Sequence, residues 1–359
     1  MALDIIYTEG FDNIGHKITR VLNKRIENLD DNSNQLLATT GGDGSAFGPS
    51  ESYSLRTSNG ASGAGNSIWH RWTVSGGEST IFLAAWYKIV NGKNEGFFFF
   101  EGPYVDGAEH VKVTANQSRT AWDITGAGVS LGSFTDTVPN GIWMHIEIKI
   151  VISATVGEVT LRRDGVQIGS FTSVDTLATN AGQAGVIHGF RLVSPTDGST
   201  SDHSWIDDIV VQGAAGEFLG RHRIRTYLPN ADGAETDWTR ISGAANSEMV
   251  DDSPTDQATY NESATSGDRD RYGIVSPSFD GVAAAVIVKA LVSQEDPGTS
   301  KVKLGIRSEG AVEDLSVGQT TRRLGFFHEM RHVIPLNPDD GQPWEATDLD
   351  GAELVIESA

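Results

Sequence analysis

Residues 141–171 read GIWMHIEIKIVISATVGEVTLRRDGVQIGSF, and in the first part of this stretch apolar and polar side chains alternate. One set of alternate positions is aliphatic throughout: Ile142, Met144, Ile146, Ile148, Ile150 and Ile152. The positions between them hold Trp143, His145, Glu147, Lys149 and Val151. Successive side chains of a strand point to opposite faces. The stretch therefore predicts a long strand with one buried face, and with His145 and Glu147 facing solvent.

The residues that follow predict a meander of antiparallel strands. Residues 153–157 are expected to turn the chain, and residues 158–162 alternate again. Asp164-Gly165 is typical of a two-residue hairpin turn, because glycine tolerates a positive φ. A second sheet must cover the aliphatic stripe of three such strands, so this half is predicted to be an antiparallel sandwich.

The rest of the sequence is also predicted to be all-β. Short apolar runs recur between Gly-, Asn- and Ser-rich segments, which is typical of a sandwich or a jelly roll. The small residues 213–216 follow a strong strand and mark the expected boundary. We predict a jelly-roll domain over residues 1–213 and a smaller β-sandwich, the oligomerisation domain, over residues 214–359.

Composition excludes several function classes. The chain has no cysteine, so it offers no disulfide framework, no thiolate nucleophile and no Cys-ligated metal. Its formal net charge of -21 disfavours partners rich in phosphate, and we expect neither nucleic-acid binding nor membrane insertion. The first residues lack a basic segment followed by an apolar run, so we expect no signal peptide, and the absence of cysteine suits folding in a reducing cytoplasm.

Two parts of the chain resemble known families. Glu9-Gly10-Phe11-Asp12, residues 52–56, the Trp143 strand with its Asp164-Gly165 hairpin, and residues 204–211 (SWIDDIVV) resemble concanavalin A-like (laminin-G-like) jelly rolls over about residues 1–212. Residues 218–220 (FLG), 228–233 (LPNADG), Trp238-Thr239 and 338–344 (PDDGQPW) resemble C-terminal halves of tailed-bacteriophage virion proteins. The resemblance implies a structural or adhesive role in the virion, at the tail, a fibre or the capsid surface.

The resemblance also implies a calcium site. In concanavalin A-like folds the termini are neighbours, and carboxylates there hold a structural Ca²⁺, which prefers oxygen ligands. The residues at these positions are Glu9, Asp12, Asp207 and Asp208. The alternative is that these carboxylates accept hydrogen bonds from backbone N–H groups in turns.

Two enzyme classes are disfavoured by the motifs. Glycosidases of this fold carry a Glu-x-Asp-x-x-Glu run on one strand, whereas the comparable strand offers only Glu147. Residues 328–332 (HEMRH) satisfy the H-E-x-x-H pattern of zinc peptidases, which requires a helix. Pro335 and the apolar neighbours predict a strand instead, which would separate the two histidines by roughly 13 Å.

Aromatic and loop residues provide two further hypotheses. Sugars stack on aromatic rings, so a glycan site is a second hypothesis, with the alternative that these rings belong to the core. Its candidate residues are Trp69, Trp72, Trp86, Tyr104 and Trp122. The long polar segment 246–271 is expected either to fold over its own sheet or to contact a neighbouring copy. The contact candidates are Asn246, Asp251, Asp256, Tyr260 and Arg271.

Together these patterns predict a non-enzymatic virion protein that acts by rigid display and self-association as a homo-oligomer, with other virion proteins as partners. The alternative is a carbohydrate-binding adhesin that recognises host-surface glycans.

Overall fold

A computed structural model describes residues 5–9, 37–40, 53–58, 68–90, 96–100, 109–177, 185–194, 203–252, 258–294, 300–308, 312–321 and 328–359. The chain divides after Arg225 into two compact units. The strands of the N-terminal unit are β1 (Ile5–Glu9), β2 (Leu37–Thr40), β3 (Tyr53–Ser58), β4 (Ile68–Glu78), β5 (Thr80–Val90), β6 (Gly96–Phe100), β7 (Glu109–Ala115), β8 (Ala121–Gly126), β9 (Val129–Thr135), β10 (Met144–Val151), β11 (Gly157–Arg163), β12 (Val166–Val174), β13 (Ile187–Ser194) and β14 (His203–Gln212).

The N-terminal unit is a sandwich of two antiparallel sheets. The eight-stranded sheet has the order β12-β11-β10-β5-β14-β3-β2, and β1 also pairs with β14. The six-stranded sheet has the order β4-β13-β6-β7-β8-β9. The first and last strands of this unit are thus neighbours, as the resemblance implied.

The predicted aliphatic stripe lies between the two sheets. Ile146, Ile148 and Ile150 of β10 are fully buried, with Phe97 and Trp122 of the six-stranded sheet in the same core. Burying one such side chain contributes about 1.5–3 kcal/mol, so the stripe is a main source of stability. The prediction was wrong only at Ile142, which is 60% exposed, because the chain turns at Gly141 (φ 69°) before β10 begins.

The predicted hairpin turn is confirmed. Asp164 (φ 52°) and Gly165 (φ 83°) both adopt positive φ between β11 and β12. Two consecutive positive values match the twist of the flanking strands, which is why Asp-Gly is favoured there.

The C-terminal unit is a smaller sandwich. Its strands are β15 (Pro229–Thr236), β16 (Thr239–Arg240), β17 (Asn261–Glu262), β18 (Arg269–Ile274), β19 (Val282–Ala283), β20 (Val286–Val292), β21 (Lys301–Arg307), β22 (Glu313–Leu315), β23 (Gln319–Thr320), β24 (His328–Ile334), β25 (Trp344–Glu345) and β26 (Glu353–Ser358). Two short 3-10 helices cover Ser247–Met249 and Ala346–Leu349. A six-stranded sheet, β15-β18-β26-β21-β22 with β23 on β21, shares a core with the β20–β24 pair. The predicted fold class is confirmed: the chain is all-β, with a jelly-roll sandwich followed by a smaller β-sandwich.

The division between the units lies twelve residues beyond the predicted boundary at residue 213. Residues 213–225, which we call the strap, belong with the N-terminal unit. They stay there because they cover the outward face of the eight-stranded sheet, the face opposite the core.

Candidate functional site: the strap on the eight-stranded sheet

The outward face of the eight-stranded sheet is buried where the strap crosses it. His145 and Glu147 of β10 are 0% and 1% exposed, and Trp86 of β5 is 6% exposed. The expectation that His145 and Glu147 face solvent was therefore wrong. Their alternation with the aliphatic stripe places them on the outward face as predicted, but the strap excludes water from that face.

Carboxylates of the sheet accept hydrogen bonds from backbone N–H groups of the strap. Glu147 Oε1 accepts from Gly220 N at 2.8 Å, and Asp208 Oδ1 accepts from Ile224 N at 3.1 Å. Gly220 has a φ of 70°, a conformation that favours glycine. The strap is thus held by its backbone, which would otherwise leave polar groups buried without partners.

Side-chain donors of the sheet bind the carbonyl groups of the strap. Trp86 Nε1 donates to His222 O at 2.8 Å, and Gln212 Nε2 donates to Glu217 O at 2.8 Å. These bonds and the two carboxylate bonds fix the strap at four positions along its length.

Two histidines meet at the centre of the site. His145 Nε2 lies 3.0 Å from His222 Nδ1, and the rings are nearly perpendicular with centroids 5.0 Å apart. His222 Nε2 lies 2.7 Å from the carbonyl oxygen of Asp208. His145 also contacts the Trp86 ring edge-on, at 5.3 Å between centroids. The strap therefore reaches the sheet through a direct imidazole–imidazole hydrogen bond.

Aromatic and cationic groups flank the pair. Phe218 of the strap packs edge-on against Phe82 of β5, with ring centroids 5.4 Å apart, and the Arg162 guanidinium lies 4.4 Å from the Phe218 ring centre. Arg221 lies over the Trp86 ring at 5.5 Å. Such contacts contribute about 0.5–2 kcal/mol each where water is excluded.

Burial shifts the pKa values of this cluster towards neutral forms. Burial and the neighbouring His222 lower the pKa of His145 to about 3, against the opposing effect of Asp164. Burial likewise lowers the pKa of His222. Burial raises the pKa of Glu147, although the Gly220 N–H and Arg162 oppose the shift. The site therefore favours two neutral imidazoles at neutral pH.

The structure places the predicted glycan residues differently from one another. Trp122 was a wrong candidate: it is fully buried in the core, and its Nε1 donates to Asp136 Oδ2 at 3.1 Å. Trp86 lies beneath the strap. Trp69 and Trp72 belong to β4, but their side chains are not among those that the structure describes. Tyr104 lies outside the described residues.

The predicted calcium residues are only partly described. Asp207 and Asp208 are buried, and Asp207 Oδ1 accepts from Asp208 N at 2.8 Å. Glu9 pairs through its backbone with Ile209, whereas Asp12 lies outside the described residues. Within the described ranges no group of three or more His, Asp or Glu side chains is arranged to hold a metal ion. The calcium site stays a prediction.

The predicted contact segment folds onto its own unit at two of its candidates. Asn246 is 1% exposed and donates to Asp270 Oδ2 at 2.8 Å, and Arg271 forms ion pairs with Glu313 and Glu235. The assignment of Asn246 was wrong, because its side chain is buried inside the unit. Arg271 is partly exposed and stays a prediction.

The other contact candidates stay predictions. Asp251 is exposed and Tyr260 is partly buried, while Asp256 lies outside the described residues.

The H-E-x-x-H pattern lies on a strand, as predicted. Residues His328–Ile334 form β24, which pairs with β20 along its whole length. His332 Nε2 lies 2.7 Å from Asp314 Oδ1. Strand geometry separates His328 from His332 by roughly 13 Å, too far for both to bind one zinc ion.

His222, Gly220 and Phe218 were missed as site residues, since the predicted boundary assigned them to the second domain. One signal could have identified the site: a histidine and a glutamate on a central strand, in register with Trp86 and Ala84 of β5. Polar side chains beside a large aromatic ring on one face of a sheet suggest that another segment of the chain packs on that face.

Comparison with known proteins leaves the family open. No family model matches the chain, and no curated protein matches it. Among solved structures it is similar to "Cellulose induced protein, Cip1" (TM-score 0.41, 16% identity, 60% of this chain and 100% of that chain). It is also similar to a protein of unknown function, SO2946, from Shewanella oneidensis MR-1 (TM-score 0.39, 17% identity, 61% of this chain and 91% of that chain). A third similar structure is the lectin UEA-II complexed with galactose (TM-score 0.36, 12% identity, 59% of this chain and 99% of that chain). Similarity at this level carries no argument about function.

Proposed function

We propose that this chain is a non-enzymatic structural component of a tailed-phage virion that acts by rigid display and self-association. The observation that carries the proposal is the strap. It occupies the outward face of the eight-stranded sheet, and it binds that face through backbone hydrogen bonds to Glu147 and Asp208. Because a segment of the chain itself fills this face, the face stabilises the domain as a rigid scaffold.

The outward face of the large C-terminal sheet supports rigid display. Ion pairs there link four cations to four carboxylates: Arg269, Arg271, Lys303 and Arg307 with Glu235, Glu313, Glu353 and Glu357. Isolated surface pairs contribute about 0–1 kcal/mol, but a network with shared partners orders the side chains further. Val355, at the centre of this face, is 1% exposed beneath them. The face is thus ordered without an apolar surface.

The resemblance of residues 218–220, 228–233, 238–239 and 338–344 to tailed-bacteriophage virion proteins supports the assignment to a particle. No helix long and apolar enough to cross a membrane is found in the described part of the chain.

The test has two arms. Antibodies raised against the purified chain should label particles of the encoding phage at symmetric positions in electron micrographs, and light scattering after size exclusion should give a closed oligomer. A monomer that is absent from purified particles would contradict the proposal.

A second candidate is a carbohydrate-binding adhesin, which a partly exposed indole favours. Trp143 immediately precedes β10, and Lys88 Nζ lies 5.9 Å from its ring centre. An aromatic face beside a cation suits a sugar that carries an acidic group. Hits on a glycan array that disappear in Trp143→Ala would favour this function, whereas an empty array would remove it.

A further inference from the structure

We propose that the edge strands β9 and β12 form the surface through which two copies of this chain associate, edge to edge, about one twofold axis. The inference rests on the self-association proposed above, and it names the surface that carries that association. It follows first from the sequences of the two strands.

The two edge strands carry the same sequence motif. Residues 128–135 read GVSLGSFT and residues 165–172 read GVQIGSFT, so six of the eight positions are identical. Each strand follows a two-residue turn with positive φ at both positions, Ala127-Gly128 in one hairpin and Asp164-Gly165 in the other. Each strand also has a shift in register at the same place, just before the second glycine of the motif. The two hairpins are therefore built alike.

The two motifs meet across the sandwich in a reciprocal arrangement. The rings of Phe134 in β9 and Phe171 in β12 stack with centroids 4.7 Å apart. A Cβ added to Gly132 would collide with the Phe171 ring, and a Cβ added to Gly169 would collide with the Phe134 ring. The glycine of each strand thus accommodates the phenylalanine of the other strand. This reciprocity requires the two strands to lie antiparallel to each other across the core.

Both strands lie at the same side of the sandwich as edges without charges. Within the described residues β9 pairs only with β8, and β12 pairs only with β11. An edge strand presents unpaired N–H and C=O groups, which proteins commonly protect with charges, proline or a short strand. Neither β9, with seven residues, nor β12, with nine, contains a charged residue or a proline. The opposite edges differ, because β2 has only four residues and β4 carries Arg71 and Glu78.

The part of each strand that can pair with a partner is its Gly-Ser-Phe-Thr run. Irregularities of register also protect edges, but here they lie before this run. Residues 132–135 pair with β8 without a shift, and residues 169–172 pair with β11 without a shift. The serines of the two runs, Ser133 and Ser170, are exposed on the outward faces.

One twofold axis can extend both sheets at once. In an antiparallel pair of identical strands, the axis passes through the residue that lies opposite itself. Ser133 and Ser170 stand between the glycine and the phenylalanine of their strands, so they mark the centre where the strands cross. An axis that brings Ser170 opposite Ser170 of the second copy therefore also brings Ser133 opposite its counterpart.

The charge of the chain favours a second copy at this place. At a net charge of -21, two copies repel each other over most of their surfaces. The edge formed by β9 and β12 is uncharged, and it is complementary to itself because both strands pair antiparallel with their own copies. Val129 and Val166, at the same motif position, are 65% and 66% exposed and add apolar surface to this edge.

Disulfide cross-linking tests the register, since the chain has no cysteine of its own. Residues directly opposite each other in an antiparallel pair have Cα atoms about 4.5–5.5 Å apart, which is within the range of a disulfide. Ser133→Cys and Ser170→Cys should therefore each give a disulfide-linked dimer under mild oxidation. Val317→Cys is the matched control, because Val317 is 86% exposed in the C-terminal unit, and it should cross-link far more slowly.

Sedimentation velocity tests the association itself. The wild type should shift from monomer to dimer as its concentration rises through the micromolar range. Ser133→Lys/Ser170→Lys places like charges opposite each other in both sheets, and it should raise the Kd of the dimer by roughly tenfold. Val275→Lys/Val317→Lys adds the same charge at exposed positions of the C-terminal unit and should associate as the wild type does.

Three results would overturn this edge association. The wild type could remain a monomer over the whole range, a measurement that needs no variant to fold, and labelling of particles would then decide the proposed function separately. Either serine-to-cysteine variant could cross-link no faster than the control, which would contradict the shared axis. An oligomer could also persist unchanged in the double lysine variant, in which case the proposed self-association stands and only this surface is wrong.

Discussion

Replacing Asp270 by asparagine should destabilise the C-terminal unit by about 2–4 kcal/mol. Asp270 of β18 is fully buried and accepts three hydrogen bonds. The donors are Trp238 N at 2.9 Å, Asn246 Nδ2 at 2.8 Å and the Tyr272 hydroxyl at 2.7 Å. The bonds from Trp238 and Asn246 tie the segment after β15 to the sheet, whereas the bond from Tyr272 is formed within β18.

The magnitude follows from the donors that an amide cannot satisfy. An asparagine that keeps its oxygen towards Asn246 and Tyr272 turns its NH₂ group towards the Trp238 N–H. This leaves two buried donors facing each other, and each costs about 1–3 kcal/mol. The two remaining bonds also lose the strength that a charged acceptor gives them. Relief of burying the carboxylate charge offsets part of this sum.

Urea unfolding provides the assay, with exchange protection of the β21 amides as the reporter for the C-terminal unit. At about 1–3 kcal/mol per molar urea, the midpoint should fall by about 1–2 M. Asp268→Asn is the matched control, because Asp268 is partly exposed and accepts from the Ser263 hydroxyl at 2.7 Å. It should cost less than about 1 kcal/mol. Equal midpoints for the two variants would refute the idea that a buried carboxylate anchors this segment.

Three further predictions concern packing, metal binding and alkaline stability. Gly169→Ala should lower the urea midpoint of the N-terminal unit by the equivalent of about 1–3 kcal/mol, because the added Cβ would lie 2.1 Å from the buried Phe134 ring. An unchanged midpoint would show that β12 can shift away from Phe134. His332→Ala should lower the free energy of unfolding by no more than about 1 kcal/mol, since it removes one partly exposed pair with Asp314, and it should leave the zinc content measured by mass spectrometry unaltered. Stoichiometric zinc that is lost with this residue would contradict the strand assignment. Burial and Asp270 raise the pKa of Tyr272 above its ordinary 10, so the stability that the neutral hydroxyl contributes is present below pH 10 and is lost as the pH rises above it. Phenolate absorbance from this residue before the C-terminal unit unfolds would contradict its burial.

The core of the N-terminal unit could be predicted because its signal is local. The aliphatic positions of residues 144–152 alternate, and a strand converts alternation into one buried face without reference to any distant residue. The same holds for the Asp164-Gly165 turn, whose conformation depends on two residues. It also holds for His328–Ile334, where neighbouring apolar residues and Pro335 argued for a strand against a helical zinc motif.

The candidate site could not be predicted in the same way. Alternation assigned His145 and Glu147 to the outward face but carried no information about what covers that face. The group that covers Glu147 is Gly220, 73 residues later, and the group that meets His145 is His222, 77 residues later. Pairings over such distances leave no periodic pattern in the sequence.

The amino-acid sequence thus determined the strands, the core stripe, the tight hairpin and the acidic, cysteine-free character of the chain. Each of these depends on residues that are adjacent or a few positions apart, or on a simple sum over the chain. The tertiary structure alone decided that His145 and Glu147, which were expected in water, are buried beneath the strap, and that Asn246 is buried within its own unit. The physical reason is that burial is a property of the assembled surfaces, and it sets both the pKa values and the partners of the groups it encloses.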